Sequence, residues 1–357
     1  MNTQNESKAT ALVRTRQHNG RGVCWSLVLA VVWSLGLVSA AQTADNGVPD
    51  LGANASLHGA RLFPANNPWN QRIDTAPVDA NSNTIISRIA TARLHPDFGA
   101  NYDGGPFGIP YRVVSGSQAK VQIGPVLYAD ESDPGLYPIP ADAPIEGGSQ
   151  STGDRHVLVL DRDHWILYEL YNAYPNSDGS WRADAAAKFD LHSNTLRPEG
   201  WTSADAAGLP ILPGLVRYDE VYEQKAIHHA IRFTLQTTRK DHVHPATHDA
   251  SAQSGTSYAP MGARFRLKAS FDISSYPASA QVILQAMKTY GLILADNGSN
   301  MFFSGAPDSR WNDEELNTLK NIAASNFEMV QRGYASEPST SSDPQAPPAP
   351  QNLRVLF

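Results

Sequence analysis

From residue 107 onward the sequence consists of short β-type runs separated by Gly, Pro, Asp and Asn, and this pattern most constrains the fold. Runs of this length, bounded by turn residues, are typical of an antiparallel sheet. The strongest pair is HVLVLD and WILYELY, which the residues RDH join into a predicted hairpin. The predicted strands are Tyr111–Ser115, Ala119–Ile123, His156–Leu160, Trp165–Tyr171, Lys188–Leu191, Ala226–Thr237, Arg264–Ala269 and Leu292–Asp296.

Helical periodicity is confined to three segments. Apolar residues recur at helical spacing in residues 80–94, where Asn81 or Ser82 is a suitable N-cap, and in Pro277–Tyr290, which Gly291 ends. Asn312–Ala324 starts with a cap residue and three acids that favour a helix N-terminus. The predicted class is therefore a β-rich α+β fold, a sandwich or barrel-like antiparallel sheet with a few covering helices.

The first residues predict export. Three arginines precede the apolar run Cys24–Ala40, which ends in small residues, as in a secretory signal peptide. The prediction places the signal peptide at residues 1–41, with cleavage after Ala40 or Ala41 and Ala44 as a third position. The expected location is secreted or periplasmic, and an uncleaved N-terminal anchor is the alternative.

Cysteine and charge exclude several function classes. Cys24 is the only cysteine, so a processed chain has no disulfide, thiol nucleophile or cysteine-bound zinc. Without residues 1–40 the chain has 24 basic and 34 acidic side chains, a net charge of about −10. This charge argues against nucleic-acid or anionic-membrane partners. The sequence also lacks the G-x-S-x-G, Walker A and dinucleotide-binding motifs of serine hydrolases, nucleotide-binding proteins and Rossmann enzymes.

Composition divides the remaining chain. Residues 42–59 predict a flexible leader, residues 60–334 a single globular domain, and residues 335–350 a linker rich in Pro and Ser. Residues 351–357 follow, and with the linker they place Pro347, Pro350, Leu353 and Val355 in a pattern that resembles the first strand of a fibronectin type III module. The expectation is a truncated module. Such tails are typical of secreted bacterial enzymes that act on polymers.

Four further strings are FPANNPWNQ (63–71), GWTSADAAGLPILPGLVRYDE (200–220), RFRLKASFDIS (264–274) and LILADNGSNMFFSGAPDSRW (292–311). Through them the main body, about residues 60–335, resembles an uncharacterised family of secreted bacterial proteins. The resemblance implies no activity, cofactor or site.

Carboxylates are the first candidates for catalysis. Glu169 lies among tyrosines in the run LYELY, where burial can turn a carboxyl group into a general acid. Asp219 and Glu220 follow an apolar segment that would hold them rigidly. Glycoside hydrolysis needs two such groups, so Glu169 with Asp219 or Glu220 is the predicted pair. The alternative for each residue is a solvated or ion-paired structural role.

Histidine and arginine supply a second set. His156, His229 and Arg232 could stabilise charge, grip a substrate carboxylate or abstract a proton, as a polysaccharide lyase requires. The alternatives are a hydrogen-bonded histidine at the edge of the core and an ordinary ion pair.

A histidine group suggests metal binding. His242 and His244 lie two residues apart, so on a strand they would point to one side, and His248 could complete a three-nitrogen set after a turn. The alternative is a group of loop histidines without a metal. A divalent metal is the only cofactor that the sequence suggests.

The predicted function is a secreted carbohydrate-active protein, a glycoside hydrolase or polysaccharide lyase with acid/base chemistry and a polysaccharide or glycan as its partner. One alternative is a non-catalytic polysaccharide-binding or cell-surface module. The second alternative is a metal-dependent hydrolase that uses the histidine group.

Overall fold

The computed structural model describes residues 47–124 and 127–331. The predicted signal peptide, the first residues of the leader, the Pro/Ser-rich linker and the fibronectin-like stub lie outside these residues. Within them the fold is β-rich with few helices, as the sequence predicts.

The described strands are β1 (Gly52–Ala53), β2 (His95–Asp97), β3 (Gly99–Tyr102), β4 (Gly105–Phe107), β5 (Tyr111–Val114), β6 (Val121–Gln122), β7 (Leu136–Tyr137), β8 (Val157–Asp161), β9 (Ile166–Tyr171), β10 (Tyr174–Pro175), β11 (Trp181–Arg182), β12 (Ala185–Asp190), β13 (Ile231–Leu235), β14 (Arg264–Leu267), β15 (Leu292–Asn297), β16 (Phe302–Ser304) and β17 (Phe327–Met329). The α-helices are α1 (Ser82–Ile89), α2 (Ala278–Thr289) and α3 (Asp313–Asn317). Short 3₁₀ turns occur at Ala129–Glu131, Leu212–Gly214, Thr318–Asn321 and Ala324–Asn326, and a π-helical turn occurs at Asp219–Gln224.

The first large sheet has the strand order β1-β5-β8-β9-β12. Its centre is the predicted hairpin, in which β8 and β9 pair antiparallel with Val157 opposite Leu170 and Asp161 opposite Ile166. Strand β5 pairs with β8 in parallel. The hairpin could be predicted because a short turn joins two apolar runs, whereas the parallel neighbour comes from a distant part of the chain.

The second large sheet has the order β17-β14-β15-β13-β16-β2, with β13–β15 and β16–β2 as parallel pairs. Both large sheets combine antiparallel pairs, as predicted, with a few parallel pairs that the sequence did not indicate. Parallel pairing of β13 with β15 is possible since β14 and α2 lie between them in the chain and supply the long crossover that such a pair needs. Neither of these sheets closes on itself.

Alternation along β8 and β9 separates two apolar cores. Leu158 and Leu167 belong to a large core that also contains Phe233 and Leu294 of the second sheet. Val157 and Tyr168 point to the other face of the first sheet and belong to a smaller core. Because β8 is buried on both faces, its sequence is a continuous apolar run and not an alternating one.

The three predicted helices are present with adjusted ends. Asn312 caps α3, since its side chain accepts hydrogen bonds from the amides of Glu314 and Glu315. The helical segment is nevertheless shorter than predicted, because it changes to the 3₁₀ turn Thr318–Asn321. Gly291 adopts a positive φ of 74° directly after Tyr290, the C-cap of α2, as expected for a residue that ends a helix.

Two predicted boundaries change. In the leader, β1 pairs with β5, and Leu57 is fully buried, so the folded part includes residues from Gly52 on. The long strand predicted at residues 226–237 is only Ile231–Leu235, because the preceding residues form a loop that brings His229 to a buried position.

Candidate functional site

Charged side chains from three strands of the second large sheet and from loops, one of which leads into β8, meet at one place, which we call the charged cluster. Its members are Asp97, Glu146, Asp154, His156, Asp205, Arg232 and Asp296. Direct contacts join His156 to Glu146 and Arg232 to Asp205 and Asp296. The charges of Glu146 and Arg232 also influence the pKa of Asp97, and the charge of Arg232 influences the pKa of His156. These groups are therefore neighbours. Two of the predicted residues, His156 and Arg232, are therefore brought together.

Arg232 is the buried centre of the cluster. Its Nε and Nη2 atoms donate to the two carboxylate oxygens of Asp205, each at 2.6 Å, and Nη1 donates to Ser304 Oγ at 2.7 Å. Nη2 also lies 3.2 Å from Asp296 Oδ2. All three nitrogens of Arg232 are thus engaged by the protein. This leaves a structural and electrostatic role for Arg232 and not the gripping of a substrate carboxylate.

Asp296 is the outward member of this group, at the end of β15 with about a fifth (22%) of its side chain exposed. Burial and the neighbouring charge of Asp205, with a hydrogen bond to that residue, raise the pKa of Asp296 to about 8, although Arg232 opposes the shift. Two adjacent carboxyl groups disfavour each other's ionisation. Asp296 is therefore a partly exposed carboxyl group that holds its proton more tightly than a free carboxyl group does.

His156 and Glu146 form the other half of the cluster. His156 lies at the entry to β8, with Nδ1 2.6 Å from Glu146 Oε2 and Nε2 3.0 Å from the carbonyl oxygen of Ala204. Burial alone would lower the pKa of His156, but Glu146 outweighs burial and raises it to about 9. Burial would likewise raise the pKa of Glu146, and the opposing effect of His156 lowers it overall. The two residues form an ion pair of which Glu146 is the more exposed partner.

Arg155 fixes the loop that carries Glu146. Its guanidinium donates to the carbonyl oxygens of Ser149 and Ser151 on one side and of Ala173 on the other. Arg155 is itself buried, and its hydrogen-bond partners are backbone carbonyl groups. It ties the loop to the β8–β9 hairpin, which holds Glu146 beside His156.

Glu169, the first predicted catalytic carboxylate, lies near the cluster but is sealed from solvent. Its position in β9 points it into the large core, where its carboxylate accepts hydrogen bonds from the amides of Ile211 and Leu212 at 2.9–3.0 Å. Burial raises the pKa of Glu169 to about 7, although those backbone hydrogen bonds oppose the shift. It links the first sheet to the start of the Leu212–Gly214 turn and has no route to a substrate.

Asp219, Glu220 and His229 form contacts in a different place. Asp219 accepts hydrogen bonds from Ser56 Oγ and the amide of Leu57, both at 3.0 Å, and so holds the segment after β1. Glu220 is bonded to Arg217 and lies 3.0 Å from Nε2 of His229. The structure does not bring Asp219 or Glu220 into contact with Glu169, the partner predicted for them.

The three histidines of the predicted metal set do not converge. His242 and His244 each bind one oxygen of Glu199, whereas His248 Nδ1 lies 2.7 Å from the carbonyl oxygen of Ala206. Among the residues that the structure describes, the one group of three with metal-ligand atoms in range is Glu146, Asp154 and His156. These atoms lie within 4.8 Å of one another.

An open groove of about 470 Å³ lies elsewhere, between α1 and residues 239–260. Its charged lining includes Arg239 and Asp241, which pair with each other at 2.8 Å. The groove contains none of the predicted catalytic residues.

Asp97, Glu146, Asp205 and Asp296 were missed as site residues at the sequence level. Asp296 offered one signal, since it is an acid at the end of the apolar run Leu292–Ala295 and precedes an Asn-Gly turn. Asp205 and Glu146 lie in loops rich in small residues, and only the tertiary fold places them beside Arg232 and His156.

Comparison of the chain with protein-family models, with curated proteins and with solved structures gave no match. No helix within residues 47–124 and 127–331 combines the length and the apolar character that crossing a bilayer requires.

Proposed function

We propose that this protein is an exported hydrolase that cleaves a glycan by acid/base chemistry, with Asp296 as the general acid. The observation that carries the proposal is the position of Asp296, whose partly exposed carboxyl group lies 3.2 Å from Arg232 beside Asp205, where its pKa is raised to about 8. A general acid must hold a proton at working pH and release it to the leaving oxygen, and a raised carboxyl pKa meets both needs.

The charged cluster also contains groups that can orient the attacking water molecule. Glu146 and Asp154 face the more open side, and His156 holds Glu146 in position. In a hydrolysis the water molecule must be oriented and deprotonated while the leaving group is protonated. We assign water orientation to the Glu146 side and protonation of the leaving oxygen to Asp296.

The surroundings favour an uncharged sugar. Five of the seven members of the charged cluster are carboxyl groups, so a uronate would meet net negative charge. Tyr171 lies beside the cluster, with its ring 5.7 Å from that of His156, and is only partly buried. An aromatic face next to the catalytic groups is a suitable platform for a neutral pyranose. Because the nitrogens of Arg232 are engaged, the lyase alternative with Arg232 as the uronate clamp loses its main support.

The test is an assay of new reducing ends on a panel of polysaccharides, with the secreted chain, Asp296→Asn and the exposed control Asp190→Asn. We expect Asp296→Asn to lower kcat by about 10²-fold or more with a small change in KM, and the control to be unaffected. In the unmodified protein, kcat should fall as pH rises through about 8, because the acid loses its proton.

If Asp296→Asn is folded by thermal unfolding and keeps more than about a tenth of kcat, Asp296 is not the acid. Saturable polysaccharide retention without product from any substrate would instead establish the non-catalytic binding module.

A further inference from the structure

The group Glu146, Asp154 and His156 has the composition of a metal site. One carboxylate oxygen from each acid and a ring nitrogen of His156 lie within 4.8 Å of one another. Two oxygens and one imidazole nitrogen form a mixed donor set that suits Zn²⁺, Mn²⁺ and related ions.

The second nitrogen of His156 provides an independent observation. Nε2 lies 3.0 Å from the carbonyl oxygen of Ala204, which accepts its proton and fixes the orientation of the ring. Metal-binding histidines nearly always donate their other N–H to such an acceptor. The arrangement leaves Nδ1 directed at Glu146, on the side where Asp154 also lies.

Burial is graded across the three residues. His156 is almost fully buried, Glu146 is partly buried and Asp154 is exposed. An ion could therefore enter from the side of Asp154 and reach a histidine that is already held in place. Arg155 supports the same geometry, since it bonds to the carbonyl oxygens of Ser149 and Ser151 in the loop that follows Glu146.

We propose that Glu146, Asp154 and His156 bind one divalent cation with mixed nitrogen and oxygen preference, such as Zn²⁺ or Mn²⁺, and leave positions open for water. The ion takes the place of the proton between Nδ1 of His156 and Glu146. Three protein ligands with open positions are typical of catalytic metal sites, in which the bound water is activated. Ion binding itself does not depend on which bond the protein cleaves.

The experiment is calorimetric titration of ZnCl₂ and, separately, MnCl₂ into the purified secreted chain after chelator treatment and dialysis. The variants are Asp154→Asn, His156→Asn and the control His244→Asn, which removes a surface histidine paired with Glu199. Asp154 is exposed, so its variant tests the site without removing a buried ion pair. Co²⁺ absorption in the visible range gives a second readout of a nitrogen-containing site.

We expect one equivalent of ion to bind to the unmodified chain and to His244→Asn, and the affinity to fall by roughly 10–100-fold or more in Asp154→Asn and His156→Asn. Asp296→Asn should bind the ion normally, which separates this inference from the proposed acid role. Absence of binding by either ion, or binding that is lost in His244→Asn and kept in Asp154→Asn, would overturn the proposal.

Discussion

Two buried arginines, Arg217 and Arg232, each hold a carboxylate in the interior, yet their surroundings differ. Arg217 bonds to Glu220, which is also 3.0 Å from His229, and all three residues are nearly inaccessible. The cavity beside them has only about 30 Å³, room for about one water molecule. Arg232 bonds to the fully buried Asp205 but also to Asp296, which reaches solvent.

The difference appears in the pKa values. Burial alone would raise the pKa of Glu220, but Arg217 and His229 outweigh burial and lower it. Asp296 shares one arginine with another acid, and its pKa is raised to about 8. Glu220 has an arginine and a histidine as direct partners, whereas Asp296 shares its one arginine with a second acid. This difference in direct partners accompanies pKa shifts of opposite sign and distinguishes the candidate site.

Removal of each arginine is the strongest way to test this comparison. Arg232→Met should cost about 4 kcal/mol of unfolding free energy, because Arg232 is the one cation among the described residues within ion-pair distance of Asp205. Arg217→Met should cost about 2 kcal/mol, since Glu220 keeps His229. Urea unfolding at neutral pH measures both values. Equal losses, or a larger loss for Arg217→Met, would contradict the assignment of the two clusters.

The pH dependence of stability should have opposite signs in the two clusters. The pKa of Asp296 is raised from 3.8 to about 8. Its contribution to the free energy of unfolding is therefore most favourable at low pH and declines as pH rises between these two values. The pKa of Glu220 is lowered, so its contribution is present above the unfolded-state pKa of 4.5 and is lost as pH falls through the lower folded-state value.

In chelator-treated samples, Asp296→Asn should therefore be more stable than the unmodified chain near pH 8.5, by up to about 5 kcal/mol, and similar to it near pH 4. Glu220→Gln should be less stable at pH 7, with a loss that shrinks in acid. Unfolding by urea across this pH range is the measurement. Parallel pH profiles for the two variants would show that both acids have the same role.

The smallest expected effect concerns the hydroxyl that completes the Arg232 group. Ser304→Ala removes the acceptor of Arg232 Nη1 and should cost about 1–2 kcal/mol, because the lost bond involves a charged donor. Ser87→Ala is the control, since its hydroxyl donates to a helix carbonyl in an exposed position. If the two losses of stability were equal, a water molecule would replace the Ser304 hydroxyl, and solvent would reach Arg232 more easily than its burial indicates.

Local features could be predicted from the sequence. The β8–β9 hairpin depends on two adjacent apolar runs, and the start of α3 depends on Asn312, so both are encoded within a few residues. His156 and Arg232 could be selected because His156 directly precedes the buried strand β8 and Arg232 is a charged residue within the buried strand β13. Their actual partners, Glu146 and Asp205, could not be selected, since only tertiary contacts show which of many acids they meet.

For Glu169 the sequence predicted the local environment but not the accessibility to a substrate. Its aromatic neighbours correctly suggested a buried carboxyl group with a raised pKa. Alternation along β9 directs the side chain into the core shared by the two large sheets, where backbone amides occupy both of its oxygens. A sequence can indicate burial, but solvent access depends on what the rest of the chain places over the residue.

The strand order of the second sheet has a consequence for how the chain folds. Strand β2 pairs with β16, about 200 residues later, and β17 completes the edge beside β14. A growing polypeptide therefore cannot assemble this sheet until almost the whole described chain has emerged from the ribosome. Such distant pairings slow folding, since a long loop must close before the contacts form. Until β16 and β17 have been made, β2 has no sheet partner and one edge of β14 is unpaired, so these strands stay accessible to proteases.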